Sequence, residues 1–303
     1  MTEQSRVLVV GSGYLAGHAG QRLRDAGHAV TLSSRRRPST PETRNLDWVA
    51  VDVSDRDCVR ALVNAARPDA VVTVHGPSDI TWCEANPNDA LTAHRDGAQH
   101  LAEVLDGRRV LMISTDNVFP GRKDSYAESD PTEPANAYGR AKLAAEDRLL
   151  KTGNALVLRV SLVYGWDRAG LRPNFFTMCA HKIATGRPVT VPDDHWNSPV
   201  LVDDVASWSA ALLGSDHTGV VHLGGPRRLS RVAWARHIAE RFTADPDLVK
   251  TLPRRTTAYA CRPRNACLHS ERARCIRELE GLEPMDVFEA CTKLIALEGT
   301  NRD

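Results

Sequence analysis

The sequence predicts an α/β fold, a doubly wound parallel sheet followed by a smaller, irregular C-terminal lobe. Three observations predict it. Over the first 165 residues, short apolar runs rich in β-branched residues alternate with helical patterns. The first of those runs leads straight into a glycine-rich turn and a helix. After residue 165 the alternation loosens into a stretch rich in Pro and Asp.

The strand-like runs are RVLVV (6–10), AVTLS (29–33), WVAVDV (48–53), AVVTV (70–74), RVLMIS (109–114) and ALVLRV (155–160). Helical patterns fill the gaps at 14–26, 55–66, 88–105 and 137–151. Near-continuous apolar strands separated by helices mean a parallel sheet covered on both faces. Gly27 stops the first helix. Beyond 165 the pattern gives helices at 174–185, 203–213 and 230–242, a strand at 219–223, and an aperiodic Arg-rich stretch at 251–275. Residues 1–165 thus read as a Rossmann-type dinucleotide-binding domain and 166–303 as a second lobe, with 199–213 packing back on the first.

Composition narrows the function. The 303 residues are 42% hydrophobic and 25% charged, with a net charge of +1, so neither a nucleic acid nor a membrane surface is an expected partner. No apolar run approaches the roughly 20 residues that span a bilayer, and the N-terminus lacks a signal-peptide layout. The seven cysteines are scattered and form no Cys-x-x-Cys, which reads as reduced thiols in a cytoplasmic protein. The eleven histidines include no H-E-x-x-H and no Cys/His cluster at ligand spacing, so no metal is expected.

The turn is GSGYLAGHAG, from Gly11 to Gly20. Gly11 permits the tight bend, Gly13 lets the backbone approach a pyrophosphate, and Ala16 allows close helix–strand packing. Tyr14 and Leu15 open the helix whose N-terminus favours phosphates. Where an NAD site carries an acid after the second strand, this chain has Ser34, Arg35 and Arg36. Guanidinium forks match a 2′-phosphate, so NADPH is expected over NADH. Asp52 and Val53, at the end of the third strand run, fall at the adenine position, with Asp52 a candidate for its amino group.

Tyr138 and Lys142 share a helix face in ANAYGRAKLAAE (135–146). An ammonium beside a phenol favours the phenolate, which makes the Tyr a usable proton donor near neutrality. Thr115 ends the fifth strand, where parallel sheets open their ligand crevice.

The chain resembles the extended short-chain dehydrogenase/reductases, and within them the dTDP-4-dehydrorhamnose reductase family. The matching pieces are ISTDNVFPG (113–121), YAESDPTEPANAYGRAKLAAED (126–147), LVLRVSLVYG (156–165), NFF (174–176), GRPVTVPDDHWNSPVLVDDVA (186–206) and GVVHLGG (219–225). The resemblance implies Thr115, Tyr138 and Lys142 as a catalytic triad, and a C-terminal lobe that clamps a nucleotide sugar. It puts His75 and Gly76 near the cofactor, with Ser78 and Asp79 near the substrate. Asn117, Asn174, His195 and Trp196 become further substrate contacts, with Asn174 meeting the diphosphate and the Arg-rich 254–264 region assisting. The chain departs from the family in its glycine spacing, in VTVHGPSDITWCE (72–84), in His94 where relatives carry Asn, and in Leu162 where the rhamnose enzymes carry Trp.

Sugar dehydratases of the superfamily look like Thr-Asp-Glu at the end of strand five; here the run is Thr115-Asp116-Asn117. An amide exchanges no proton at neutral pH, which favours simple reduction. The expected activity is therefore NADPH-dependent reduction of a nucleotide-linked 4-keto-6-deoxy sugar, a small-molecule substrate. The alternatives are a nucleotide-sugar epimerase, a reductase of another carbonyl compound, and a cofactor-sensing regulatory subunit like the β subunit of methionine adenosyltransferase. A homodimer is compatible with the sequence, which does not set the oligomeric state.

Overall fold

The structure, a computed structural model, describes residues 4–38, 40–167 and 173–300. Its centre is a seven-stranded parallel sheet. In chain order the strands are β1 (Arg6–Val10), β2 (Ala29–Ser34), β3 (Asp47–Ala50), β4 (Ala70–Thr73), β5 (Arg109–Thr115) and β6 (Ala155–Val160), then Gly219–Leu223. Across the sheet they lie in the order β3-β2-β1-β4-β5-β6, with Gly219–Leu223 pairing on β6. The order reverses between β1 and β4, and that switch point opens a crevice at the strand ends.

Side-chain alternation explains the layers. Val7 and Val9 of β1, Leu111 and Ile113 of β5, and Leu156 and Leu158 of β6 enter one core. Their neighbours Leu8, Val10, Val110, Met112 and Val157 enter another on the opposite face. The first core is covered by α1 (Tyr14–Asp25) and α8 (Val202–Leu213), which pack together. The second is covered by α2 (Arg56–Ala66), α5 (Gly97–Val104) and α6 (Ala137–Leu150). A third core joins α7 (Phe175–Ala184), α9 (Arg231–Arg241) and α10 (Val287–Thr300) in the C-terminal lobe. There Val189–Pro192 pairs in parallel with Val249–Leu252, and Trp196–Asn197 lies between Leu229–Ser230 and Asn265–Ala266.

Three local expectations differ. The strand run at 48–53 ends at Ala50, because Asp52 turns the chain by accepting from the Ser54 backbone N–H at 3.0 Å and from its hydroxyl at 2.6 Å. The helix expected over 88–105 is present, but it is α4 (Pro87–Leu91), a π turn at Thr92–Asp96 and α5 in unbroken succession rather than one regular α-helix. Such a turn adds a residue to the helical ring and re-aims the side chains it carries. Ahead of it stands an unexpected short helix, α3 (Ile80–Ala85), capped by Asp79, whose carboxylate accepts from the amides of Thr81 at 2.9 Å and Trp82 at 3.1 Å.

Candidate active site

A cleft of about 1490 Å³ runs from the β1–α1 turn, across the ends of β4 and β5, into the C-terminal lobe. Its wall on the side of the β1–α1 turn holds Gly11, Gly13, Tyr14, Leu15, Ser34, Arg35, Arg36, Asp52, Val53, His75 and Gly76. Its deeper part holds Ser78, Thr115, Asn117, Tyr138, Lys142, Asn174 and His195. Trp196 is a correction: it is not part of this lining. Residues alternate along the short Trp196–Asn197 strand, so His195 and Asn197 face the cleft. Trp196 instead packs between the guanidinium carbons of Arg228 and Arg264, 4.8 and 5.2 Å from its ring centre. Asp79 is likewise absent from the lining and serves as the cap of α3.

The glycine turn fits a dinucleotide. Gly11 has φ of +135° and its N–H donates to the Ser33 carbonyl at 2.8 Å, a conformation that L side chains rarely adopt. A Cβ on Gly13 would project into open space, so its absence leaves room over the helix end. Helix α1 follows Gly13 at its N-cap, with no side-chain cap and no acid in its first turn. An uncapped helix N-terminus suits a phosphate. At the far end Ser34 shapes the arginine loop, its hydroxyl donating to the Arg36 carbonyl at 2.7 Å and accepting from Trp48 Nε1 at 3.0 Å.

Helix α6 brings Tyr138 and Lys142 to the cleft. Asn136 caps it by accepting from the Gly139 amide at 2.8 Å. A Cβ at Gly139 would strike the Asn117 carbonyl, so glycine there is what lets α6 lie against the end of β5. One turn on, Lys142 is 4% exposed and donates to the Ile113 carbonyl at 2.8 Å. Burial lowers its pKa from 10.5 to about 8. The acid one turn further, Glu146, is committed to Arg159 at 2.7 Å and to the Ser114 hydroxyl. Ser114 is thus a strut between β5 and α6.

Thr115 sits in a buried polar network. Its hydroxyl donates to Asp116 Oδ1 at 3.2 Å and accepts from the backbone N–H of Asn117 at 3.2 Å and from its Nδ2 at 3.1 Å. Asn117 Oδ1 accepts from Asn136 Nδ2 at 2.9 Å, which ties the strand end to the cap of α6. Asp116 accepts from the Ser161 hydroxyl at 3.0 Å, and burial raises its pKa to about 6.

His94, presented by the π turn, forms the wall opposite Tyr138: their rings meet edge-on, with centres 5.7 Å apart. Its Nε2 lies 3.0 Å from the Pro77 carbonyl, and burial pushes its pKa well below 6.5, so the ring is neutral. His75 binds the Thr73 hydroxyl through Nδ1 and the His94 carbonyl through Nε2 at 3.1 Å; burial lowers its pKa to about 4. Asn174 caps α7, accepting from the Thr177 amide at 3.1 Å and donating to the Gly165 carbonyl at 2.7 Å. The sequence reading gave no role to Asp116, Ser161, Asn197 or Arg231, all of which line the cleft. Each looked like an ordinary polar residue flanking an apolar run, and only the assembled lobes bring them together.

Sheet order and cleft together define the class: the fold is that of an extended short-chain dehydrogenase/reductase. Within that class the chain belongs to the RmlD substrate binding domain family, whose profile matches residues 5–292. The probable low-salt glycan biosynthesis reductase of Haloferax volcanii is 31% identical over 264 residues, 85% of this chain and 87% of that one. The dTDP-4-keto-6-deoxy-D-glucose reductase of Streptomyces niveus is 33% identical over 224 residues, 72% of this chain and 76% of that one. The crystal structure of dTDP-4-dehydrorhamnose reductase from Bacillus anthracis in complex with NADP superposes with a TM-score of 0.79 at 22% identity, covering 97% of this chain and 99% of that one; it shares the fold.

Proposed function

We propose that this protein is an NADPH-dependent reductase of a nucleotide-linked 4-keto-6-deoxy sugar. The observation that carries the reading is that Thr115, Tyr138 and Lys142 line one cleft with the glycine turn and with Arg35 and Arg36. The names of the Haloferax and Streptomyces relatives support a reductase and, in the second case, this substrate class. Gly11, Gly13, Tyr14 and Leu15 would hold the pyrophosphate end of NADPH, with Ser34, Arg35 and Arg36 at its 2′-phosphate, Asp52 and Val53 at its adenine, and His75 and Gly76 along the remainder. When bound, the nicotinamide supplies a hydride.

The chain's own residues manage the proton and the charge. Tyr138 holds the proton that goes to the developing alkoxide. Thr115, whose hydroxyl donates to Asp116, would turn that proton to the same oxygen when substrate is bound. Lys142, one turn further along α6, would bring positive charge to the phenol, and a pKa near 8 keeps it cationic at neutral pH. Ser78, the amide of Asn117 and His195 would border the sugar, and Asn174 the diphosphate. Asn117 stands where a dehydratase needs an acid, which favours reduction over water elimination.

The test is oxidation of NADPH by purified protein with a panel of nucleotide 4-keto-6-deoxy sugars. One NADPH consumed per product formed is the expected result. Retention of a bound, unconsumed nicotinamide cofactor through repeated sugar interconversion would instead mark an epimerase.

A further inference from the structure

Arg231, the first residue of α9, is 4% exposed, yet its guanidinium makes no ion pair among the described residues. Neither Nε nor Nη1 has a hydrogen-bond partner. The group lies over the Phe175 ring at 4.4 Å and beside the Tyr259 ring at 5.4 Å, and it forms part of the cleft wall. A buried, unpaired cation is among the most unfavourable groups a core can hold. The first turn of a helix makes matters worse, because the helix dipole already places positive charge there. Among the described residues only the two aromatic faces and the charge of Asp116 offset these terms, and none of them gives the guanidinium a hydrogen-bonded anion.

The surroundings add more positive charge, and the acids nearby are already engaged: Asp194 faces Arg254 at 3.9 Å and accepts from its backbone N–H at 2.8 Å. Arg262 also lines the cleft, stacked on Tyr259 at 4.8 Å. Arg254 binds the carbonyls of Tyr259, Ala260 and Arg262, and so shapes the loop that carries both residues. His195 stands among the three arginines with Nδ1 unpartnered, and burial together with their charge keeps its ring neutral. Asp116, the acid whose charge reaches Arg231, is already occupied by Ser161 and Thr115.

We propose that Arg231 is the seat of a substrate oxyanion, a phosphoryl group or a carboxylate, bound out of contact with water on the C-terminal wall of the cleft. A planar guanidinium fork matches both groups, and two cleft-lining arginines suit a doubly charged one. The proposal rests on the reading of the cleft as a nucleotide-sugar site only for the name of the ligand; the unpaired charge itself is independent of it.

The experiment compares wild type with Arg231→Met and Arg231→Lys, reading melting temperature and calorimetric Kd. The probes are a nucleoside diphosphate, the matching nucleoside, inorganic pyrophosphate and glucuronate. Without ligand, Arg231→Met is expected to melt at or above the wild-type temperature, because it removes an unpaired buried charge. Its Kd for the nucleoside diphosphate is expected to rise on the order of 100-fold, the usual scale for losing one side of a buried charge pair. Arg231→Lys, which keeps the charge but loses the fork, should bind roughly ten-fold more weakly than wild type. Arg231-dependent binding of the diphosphate or pyrophosphate identifies a phosphoryl seat, and the same dependence for glucuronate alone identifies a carboxylate seat.

Two results overturn the proposal: anion affinity unchanged in Arg231→Met, or a ligand-free Arg231→Met that melts well below wild type while Arg231→Lys behaves normally. Should Arg231→Met not fold, Arg231→Lys with full anion affinity also overturns it. Binding is read without turnover, so anion capture without NADPH oxidation would sink only the reductase reading. Turnover with an unchanged KM in Arg231→Met would sink only this one.

Discussion

The Lys142 ammonium donates to the carbonyl oxygen of Ile113 at 2.8 Å, two residues before Thr115 on the same strand. One bond thereby fixes the height of α6 over the end of β5, and with it the place of Tyr138 one turn earlier. It does so with a charge the interior disfavours. The folded pKa of about 8 lies below the unfolded 10.5, so the native state binds fewer protons between those values. The penalty is full below pH 8 and is relieved as pH rises toward 10.5. It amounts to about 3 kcal/mol, at roughly 1.4 kcal/mol per pH unit. Lys142→Met should therefore lose turnover while gaining on the order of 1–2 kcal/mol in urea unfolding at pH 7, after allowing for the lost hydrogen bond. A less stable Lys142→Met would contradict this.

Asp116 gives a linkage of the other kind. Its carboxyl is raised from 3.8 to about 6, so the native state holds an extra proton between those values. Its contribution to stability falls as pH climbs from about 4 to 6 and stays low above that. Unfolding of wild type and Asp116→Asn at pH 4.5 and pH 7 should show a difference that shrinks or reverses toward neutrality, by about 2 kcal/mol. A pH-independent difference would place the titration elsewhere.

The sheet was legible in the sequence because β1, β5 and β6 are buried on both faces and therefore carry unbroken apolar runs through their centres. The meeting of Thr115, Tyr138 and Lys142 in one cleft was legible because they lie on two adjacent elements, Thr115 at a strand end and Tyr138 and Lys142 one helical turn apart. The π turn inside the 88–105 helix was not, since it inserts a residue without a Gly or Pro signal inside it. Trp196 was misplaced because proximity to a substrate loop says nothing of which way an alternating strand turns each side chain. Arg231 reads in sequence as one more solvated arginine at a helix start; only the packing of Phe175 and Tyr259 around it reveals the buried charge.

Arg35 and Arg36 should set cofactor choice. Replacing both by Ala is expected to weaken NADPH binding roughly 10–100-fold, the scale of one or two charge-assisted hydrogen bonds, and to leave NADH affinity nearly unchanged. Calorimetric titration of both cofactors checks it. An equal loss for both would move the 2′-phosphate contact to other residues.

Gly139→Ala tests the approach of α6 to β5. The added methyl meets the backbone carbonyl of Asn117, which cannot rotate away as a side chain could. The variant should lose on the order of 2–3 kcal/mol of stability and most of its activity together, since the shift displaces Tyr138. Unchanged activity and melting temperature would show that the helix is free to move.

The central claim, that the Tyr138 phenol protonates what the nicotinamide reduces, is tested most directly with Tyr138→Phe. The measurement pairs calorimetric Kd for NADPH with kcat for keto-sugar reduction. A Kd within about two-fold of wild type and a kcat lowered by roughly 10²–10⁴ is the predicted result, the range expected for removing a general acid. A kcat near the wild-type value in that variant would contradict the account.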